Sequence, residues 1–428
     1  MKKNLLSVIC FLECIISVHS QTLYGLTPRG GNDGVGTLIK FIPATNNLTV
    51  AKSFENYAKN PFFTNLIQAS NGKLYGMTSF GGNDSILYAT LHGGGVIFSF
   101  DPSTFSYTKL KDFDGTNGLG PGGSLMQASD GKLYGMTTYG GSNYGVSGGD
   151  QSGVIFSFDP TSSTYTKLKD FNFIDGAKPE GSLIQAGNGK LYGMTSSGGS
   201  SNGGVIFSFD LSTSTYTKLK DFDNANGREP YGSLMQASDG KLYGMTSHGG
   251  SSNGGVIFSF DLSTSTYTKL KDFDNASGLE PYGSLMQASN GRLHGMTRFG
   301  GSGGHGVIFS FDPATSIYAK LKDFDGPNGA NPYGSVIQVS DGKFFGVTSW
   351  GGSGGSNGAG VIFSFDPSTS TYTKLQDFNG TNGHKPLGSL MQANDGKLYG
   401  MTNQGGSSDY GVIFSFDPSS SAFTKLKD

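Results

Sequence analysis

Five ring-bearing residues, Phe80, Tyr139, His248, Phe299 and Trp350, each stand directly before a Gly-Gly pair, and Arg298 adds a cation beside Phe299. Ser197 and Gln404 hold the same slot elsewhere, so the slot varies while its glycines stay. Flat rings stack on sugar faces, and a guanidinium pairs with an acidic group. The chemistry this set offers is binding, with a carbohydrate or surface polymer as the expected ligand. The competing expectation is that these rings only cover seams between structural units.

Catalytic constellations are scarce. His92, His248, His294, His305 and His384 fall at five different repeat positions, and no spacing suggests a metal triad. His294 replaces a recurrent tyrosine and reads as a packed ring. No G-x-S-x-G elbow appears. Asp221, Asp272 and Asp323 recur in register, which suits structure better than one active site. Loops opening Asp112-Phe-Asp114, Asp221-Phe-Asp223, Asp272-Phe-Asp274 and Asp323-Phe-Asp325 approach a calcium-loop pattern, but Asn226-Gly227 comes one residue late and no glutamate closes the loop. Capping of the loops by Asx side chains is expected instead, with no metal and no cofactor. Enzyme activity is left uncertain, with none the favoured reading. The alternatives are a polysaccharide hydrolase or lyase, which two or more acids converging on one face would favour, and a purely structural surface protein.

The elements that must position these residues come from a repeat. Its Leu-Tyr-Gly position recurs at Tyr24, Tyr75, Tyr134, Tyr192, Tyr243, His294, Phe345 and Tyr399, with spacings of 51 to 59 residues. The unit starting at Tyr231 holds four strand-like runs: A (Ser233 to Ala237), B (Lys241 to Thr246), C (Gly255 to Phe260) and D (Tyr267 to Phe273). Asp239-Gly240 between A and B suits a two-residue hairpin turn with positive φ. Run C, Val-Ile-Phe-Ser-Phe, is apolar on both faces, as in sheets covered on both sides. The expected fold is all-β, a propeller of about eight four-stranded antiparallel blades with the first blade lacking strand A. A glutamine stands in strand A in all seven copies (Gln68, Gln127, Gln185, Gln236, Gln287, Gln338, Gln392), where its amide would bond neighbouring blades or water. B–C and D–A loops share one face of such a disc, so the variable rings gather there.

The pattern LYGMT…GG…GGVIFSFD…YTKLKDF…GSL…DG resembles the GloVer tandem repeat of secreted bacterial proteins, and it covers essentially all of residues 21–428. The Gly-Gly after strand B and the aromatic after the C–D turn also resemble a Kelch repeat, with Tyr216, Tyr267 and Tyr372 where Kelch has tryptophan. The resemblance implies export and a propeller-like array, and no established activity.

Residues 1–20 differ from the rest: Lys2 and Lys3, an apolar run from Leu5 to Val18, and Val18-His19-Ser20 before Gln21. This is the anatomy of a cleaved signal peptide, leaving a single domain at 21–428 that is secreted or held at the cell surface. Both cysteines, Cys10 and Cys14, lie in the leader, so the remainder offers neither disulfides nor thiolate ligands. Without Lys2, Lys3 and Glu13, 28 basic residues face 31 acidic ones, a net charge of about −3. That surface offers no basic field for nucleic acid, and no second apolar run approaches membrane-spanning length. A monomer is expected.

Overall fold

Strand C carries the logic of the whole molecule. In the fifth unit, Val256, Ile257 and Phe258 are fully buried although their side chains alternate between the two faces of the sheet. Ile257 packs with Val307, Phe309 and Phe311 of the sixth unit, whereas Val256, Phe258 and Phe260 pack with Met194 and Ile206 of the fourth. Each sheet is therefore covered on both sides by its neighbours.

A computed structural model describes residues 22–27, 37–42, 45, 47–53, 66–82, 87–88, 91–101, 103–104, 106–142, 144, 152–392, 396–407, 409 and 411–427. It is an eight-bladed β-propeller. Blade 1 is a three-stranded sheet of Leu23–Thr27, Thr37–Ile42 and Asn47–Ser53. Blades 2 to 8 are four-stranded antiparallel meanders in the order A-B-C-D. Their A strands are Ile67–Gln68, Met126–Gln127, Ile184–Gln185, Met235–Gln236, Met286–Gln287, Ile337–Gln338 and Met391–Gln392. In blade 5 the others are Leu242–Thr246, Val256–Asp261 and Thr266–Asp272. The proposed leader lies outside the described residues, as does most of the two longest B–C loops, residues 83–94 and 142–152. Among the described residues, no helix is long and apolar enough to cross a membrane.

Two expectations need correction in detail. Strand A is only two residues long, because its upstream half bonds the next blade instead of its own strand B: Ser233 N–H donates to Ser284 Oγ at 2.9 Å. The same clasp joins Ser124 to Ser182, Ser182 to Ser233, Ser284 to Ser335 and Ser335 to Ser389. The A–B turn is also one residue longer than the two-residue form. Gly240 N–H donates to Ala237 O and Ala237 N–H to Lys241 O, and only Gly240 (φ 82°) is left-handed. Asp239 stays right-handed because its carboxylate accepts the Lys241 N–H, giving a three-residue loop closed by a glycine bulge.

The strand A glutamines pin blades together. Gln236 Oε1 accepts the Gly187 N–H of blade 4 at 2.9 Å, and its Nε2 donates to Gly240 O of its own turn. Strand D tyrosines do the same on the opposite face: Tyr267 donates to Asn226 O, in the loop that enters its blade, while Lys220 of blade 4 lies over its ring.

A candidate binding face on the D–A and B–C loops

The D–A loop leaves one blade, crosses to the next and makes a two-residue bridge with the start of that blade's B–C loop. The bridges are Leu119 with Tyr139, Ala177 with Ser197, Arg228 with His248, Leu279 with Phe299, Ala330 with Trp350 and His384 with Gln404. The variable slot is thus a fixed backbone position, held by paired N–H and C=O groups, whose side chain is free to differ.

Immediately after this bridge comes a residue followed by proline: Lys178, Glu229, Glu280, Asn331 or Lys385. Proline pushes its predecessor toward extended backbone, yet all five have φ between 53° and 57°. Two hydrogen bonds enforce this. Glu280 N–H donates to Gly254 O of the preceding blade, and Glu280 O accepts the Arg298 N–H of its own. Glycine would be least strained here, and Gly120 in blade 3 has that form at φ 59°. Five blades instead carry a charged or amide side chain at a cost of about 1–3 kcal/mol each.

These side chains join the slot residues and the residue after proline in one arc. A Glu229 carboxylate oxygen lies 3.3 Å from His248 Nδ1, which is hydrogen-bonded to Ser247 Oγ at 2.8 Å, and Glu229 pairs with Arg228 at 3.6 Å. Tyr231 donates to Glu229 at 3.5 Å, and its ring stacks on Tyr282 at 4.9 Å with planes 8° apart. Tyr282 meets Tyr333 at 5.4 Å. The Arg298 guanidinium lies 4.4 Å from Phe299, 4.7 Å from Tyr333 and 5.4 Å from Tyr282, and Glu280 holds it at 3.4 Å. Further round, Lys385 sits 4.4 Å over Trp350, with His384 edge-on at 5.8 Å. Lys178 lies 5.8 Å from the Tyr139 ring.

Electrostatics on the arc are uneven. Burial raises the Glu180 carboxyl above the usual carboxylate range, and the nearby charge of Glu229 raises it further, against a hydrogen bond from Ser196. Burial also raises Tyr231, with Glu180 and Glu229 adding to it. Burial and the Lys385 charge lower His384. The Nε atoms of Arg228 and Arg298 are buried and make no hydrogen bond among the described residues.

The structure brings His248, Arg298, Phe299 and Trp350 onto this arc, all half-buried. Tyr139 lies at its edge, and Phe80 is half-buried in blade 2. Sequence reasoning missed Glu180, Glu229, Glu280, Tyr231, Tyr282 and Tyr333. The signal was there: the residues flanking proline vary (Lys-Pro-Glu, Glu-Pro-Tyr, Asn-Pro-Tyr, Lys-Pro-Leu), while the Gly-Ser that follows does not.

The Asp-x-Asp loops are occupied by their own chain. Asp221 accepts from Ser200 N–H and Lys218, and Asp223 caps Asn226 N–H at 2.7 Å. Asn172 caps Asp175 in the same way. Among the described residues no three His, Cys, Asp or Glu side chains gather to hold a metal. His294 is buried and packed 4.3 Å from Phe344, so it has no place on the face.

The fold is shared with solved propellers at low identity. A candidate 6-phosphogluconolactonase from Bacteroides fragilis is 16% identical, with 87% of this chain and 98% of that one covered and a TM-score of 0.53. An oligogalacturonate lyase solved with manganese is 12% identical, with 94% and 99% covered and a TM-score of 0.52. At such identity the likeness is one of fold alone. No curated protein matches the sequence. The Gloeobacter/Verrucomicrobia repeat matches residues 13–148, 144–289 and 272–428, and the chain belongs to that repeat family.

Proposed function

We propose that this is an exported, non-catalytic binding propeller whose arc of D–A and B–C loop residues takes a carbohydrate or other surface polymer bearing acidic groups. The observation that carries this reading is the continuity of Tyr231, Tyr282, Arg298 and Tyr333 across three blades. Stacked rings interleaved with a guanidinium offer faces for sugar rings and a donor fork for a carboxylate. The arc also departs from the repeat where the frame around it does not, as a single ligand site within identical blades would. Phe80, Tyr139, His248, Phe299 and Trp350 remain the proposed contacts from the variable slot, joined by Arg298.

The test is a glycan-array screen of residues 21–428, followed by titration of the best hit against Trp350 fluorescence, since Trp350 is the only tryptophan. Tyr282→Ala and Arg298→Ala should each weaken binding at least tenfold while the chain stays folded. Binding that survives both substitutions would move the site elsewhere.

A second reading, a polysaccharide hydrolase or lyase, draws on one feature: the raised Glu180 carboxyl beside the Glu229 carboxylate. A carboxyl raised by burial serves as a general acid in other active sites. Release of reducing or unsaturated ends from the bound polymer, lost in both Glu180→Gln and Glu229→Gln, would replace the binding reading.

A further inference from the structure

The A–B turns carry a chemistry that neither the fold nor the binding arc uses. Blades 2, 4 and 6 hold Asn71-Gly72, Asn188-Gly189 and Asn290-Gly291 there, where blades 3 and 5 hold Asp130-Gly131 and Asp239-Gly240. All five turns are built alike. In blades 3 and 4, the N–H groups of Gly131 and Gly189 donate to Ala128 O and Ala186 O at 2.9 Å. The N–H groups of Lys132 and Lys190 donate to Asp130 Oδ1 and Asn188 Oδ1 at 3.1 and 3.2 Å. Only the tyrosine bond differs. Tyr134 donates to Asp130 Oδ2 at 2.6 Å, whereas Asn188 Nδ2 donates to the Tyr192 hydroxyl at 2.8 Å, and Asn71 Nδ2 to Tyr75 at 2.9 Å. A phenol hydroxyl both donates and accepts, so one turn fits either side chain. Blade 6 has His294 in the tyrosine's place. Among the described residues, Asn290 there keeps one side-chain bond, from the Arg292 N–H to its Oδ1 at 3.0 Å. All three asparagines are exposed.

We propose that Asn71, Asn188 and Asn290 are self-modification sites that convert to aspartate, Asn290 first. The nitrogen of the following glycine attacks the asparagine Cγ, and the Cγ–Nδ2 bond breaks. The glycine proton leaves with that amide as ammonia, and a five-membered cyclic imide remains. Water then adds its hydroxyl to Cγ and its proton to the glycine nitrogen, which reopens the backbone and leaves a carboxyl. Glycine presents no Cβ to obstruct the attack. The N–H two residues on, already bonded to Oδ1, steadies the negative charge that develops there. The glycine N–H must first release its bond to the turn carbonyl, 2.9 Å in each of these blades, so conversion is slow. Tyrosine holds the leaving amide at Asn71 and Asn188, and none does so at Asn290. In the D–A loops the same dipeptide is set against this reaction. Asn226 Nδ2 donates to both oxygens of Asp223 at 3.1 and 2.9 Å, and Asn117 and Asn328 donate to Asp114 and Asp325 at 2.8 Å. Conversion there would press two carboxylates together. Each converted turn adds one negative charge, on the face of the meander opposite the arc.

The test is to hold folded residues 21–428 at mildly alkaline pH and follow them by peptide mass mapping. The mass gain of an amide-to-acid change should appear first in the peptide carrying Asn290, then at Asn71 and Asn188, and last at Asn117, Asn226 and Asn328. His294→Tyr restores the missing hydroxyl and should slow Asn290 about fivefold, the effect of one hydrogen bond, while leaving Asn188 unchanged. Tyr192→Phe should speed Asn188 by a similar factor; Phe345 fills that position in blade 7, so the blade accepts it. Asn188→Asp should melt with the parent, and Asn226→Asp several degrees below it. No conversion at the turns, conversion at Asn226 as fast as at Asn290, or rates unmoved by both His294→Tyr and Tyr192→Phe would overturn the assignment. Opening of the imide on its other side gives isoaspartate, which lengthens the backbone by one methylene. A product that is mostly isoaspartate and melts lower would overturn the claim that the turn accepts its own product.

Discussion

His294 shows what a single residue costs when it departs from the repeat. Tyrosine at this position bonds the A–B turn, either donating to Asp130 and Asp239 or accepting from Asn71 and Asn188. The His294 ring reaches no such partner, and burial, helped by the Arg292 charge, lowers it from 6.5 to about 4. The Phe309 backbone opposes the shift, but no hydrogen bond of ordinary geometry forms there, so burial dominates. The unfolded chain therefore takes up a proton that the folded chain refuses as pH falls below 6.5. Stability is lost between there and about pH 4, by about 3 kcal/mol for the full shift. His294→Tyr, with Asn290 placed to donate to its hydroxyl, should be more stable at pH 5 and flatten that slope in urea melts. Glu180 titrates with the opposite sign. Its carboxyl is raised in the folded state, so stability is full below the ordinary carboxylate range and declines as pH rises through the folded value. Glu180→Gln should match the parent at pH 4 and exceed it at pH 7.

At the scale of elements, loop and strand contribute different kinds of hold. The D–A loop depends on an Asx cap that accepts aspartate or asparagine, since Asp223 and Asn379 both receive a backbone N–H three residues on. Asp223→Asn should cost well under 1 kcal/mol and Asp223→Ala about 1–2 kcal/mol by denaturant unfolding. A chelator should not alter the melt; a large drop with EDTA would instead make these loops calcium sites. Gln236→Ala removes bonds to two blades at once and should cost about 1–2 kcal/mol. The four strands were legible because strand C is apolar on both faces and Asp-Gly marks the turn. The shortness of strand A was not, since the partner of Ser233 N–H lies 51 residues away. Nor were the acids of the arc, because proline after Glu229 argues for extended backbone. Two hydrogen bonds, one to the preceding blade and one within its own, hold that residue left-handed and place Glu229 beside His248.

Across the whole molecule, stability follows the seams. The seam between blades 5 and 6 buries Tyr243, Met245, Ile257 and Phe273 against Leu285, Leu293, Val307, Phe309 and Phe311. Between blades 8 and 1, Tyr399 is buried with Leu48 and Leu426 packed on it, and the buried Ile39 and the half-buried Met401 meet at Gly25. Burying one large apolar side chain contributes about 1.5–3 kcal/mol, so the seam with fewer buried side chains among the described residues is the weaker one. The serine clasps and strand A glycine contacts of the described residues join blades 3 to 8. Repeat proteins with unequal interfaces open first where neighbours hold each other least. Hydrogen exchange should therefore proceed fastest at the 8–1 seam, in Leu23–Thr27 and Ile413–Asp417, and slowest in Val205–Asp210, Val256–Asp261 and Val307–Asp312. Blade 5 is sealed on both sides by cores of this kind, so Val256–Asp261 should exchange only through global unfolding. Blades 1 and 8 should open at lower cost, and more so in Tyr399→Ala. Uniform protection around the ring would mean that the 8–1 seam is reinforced by residues outside those described.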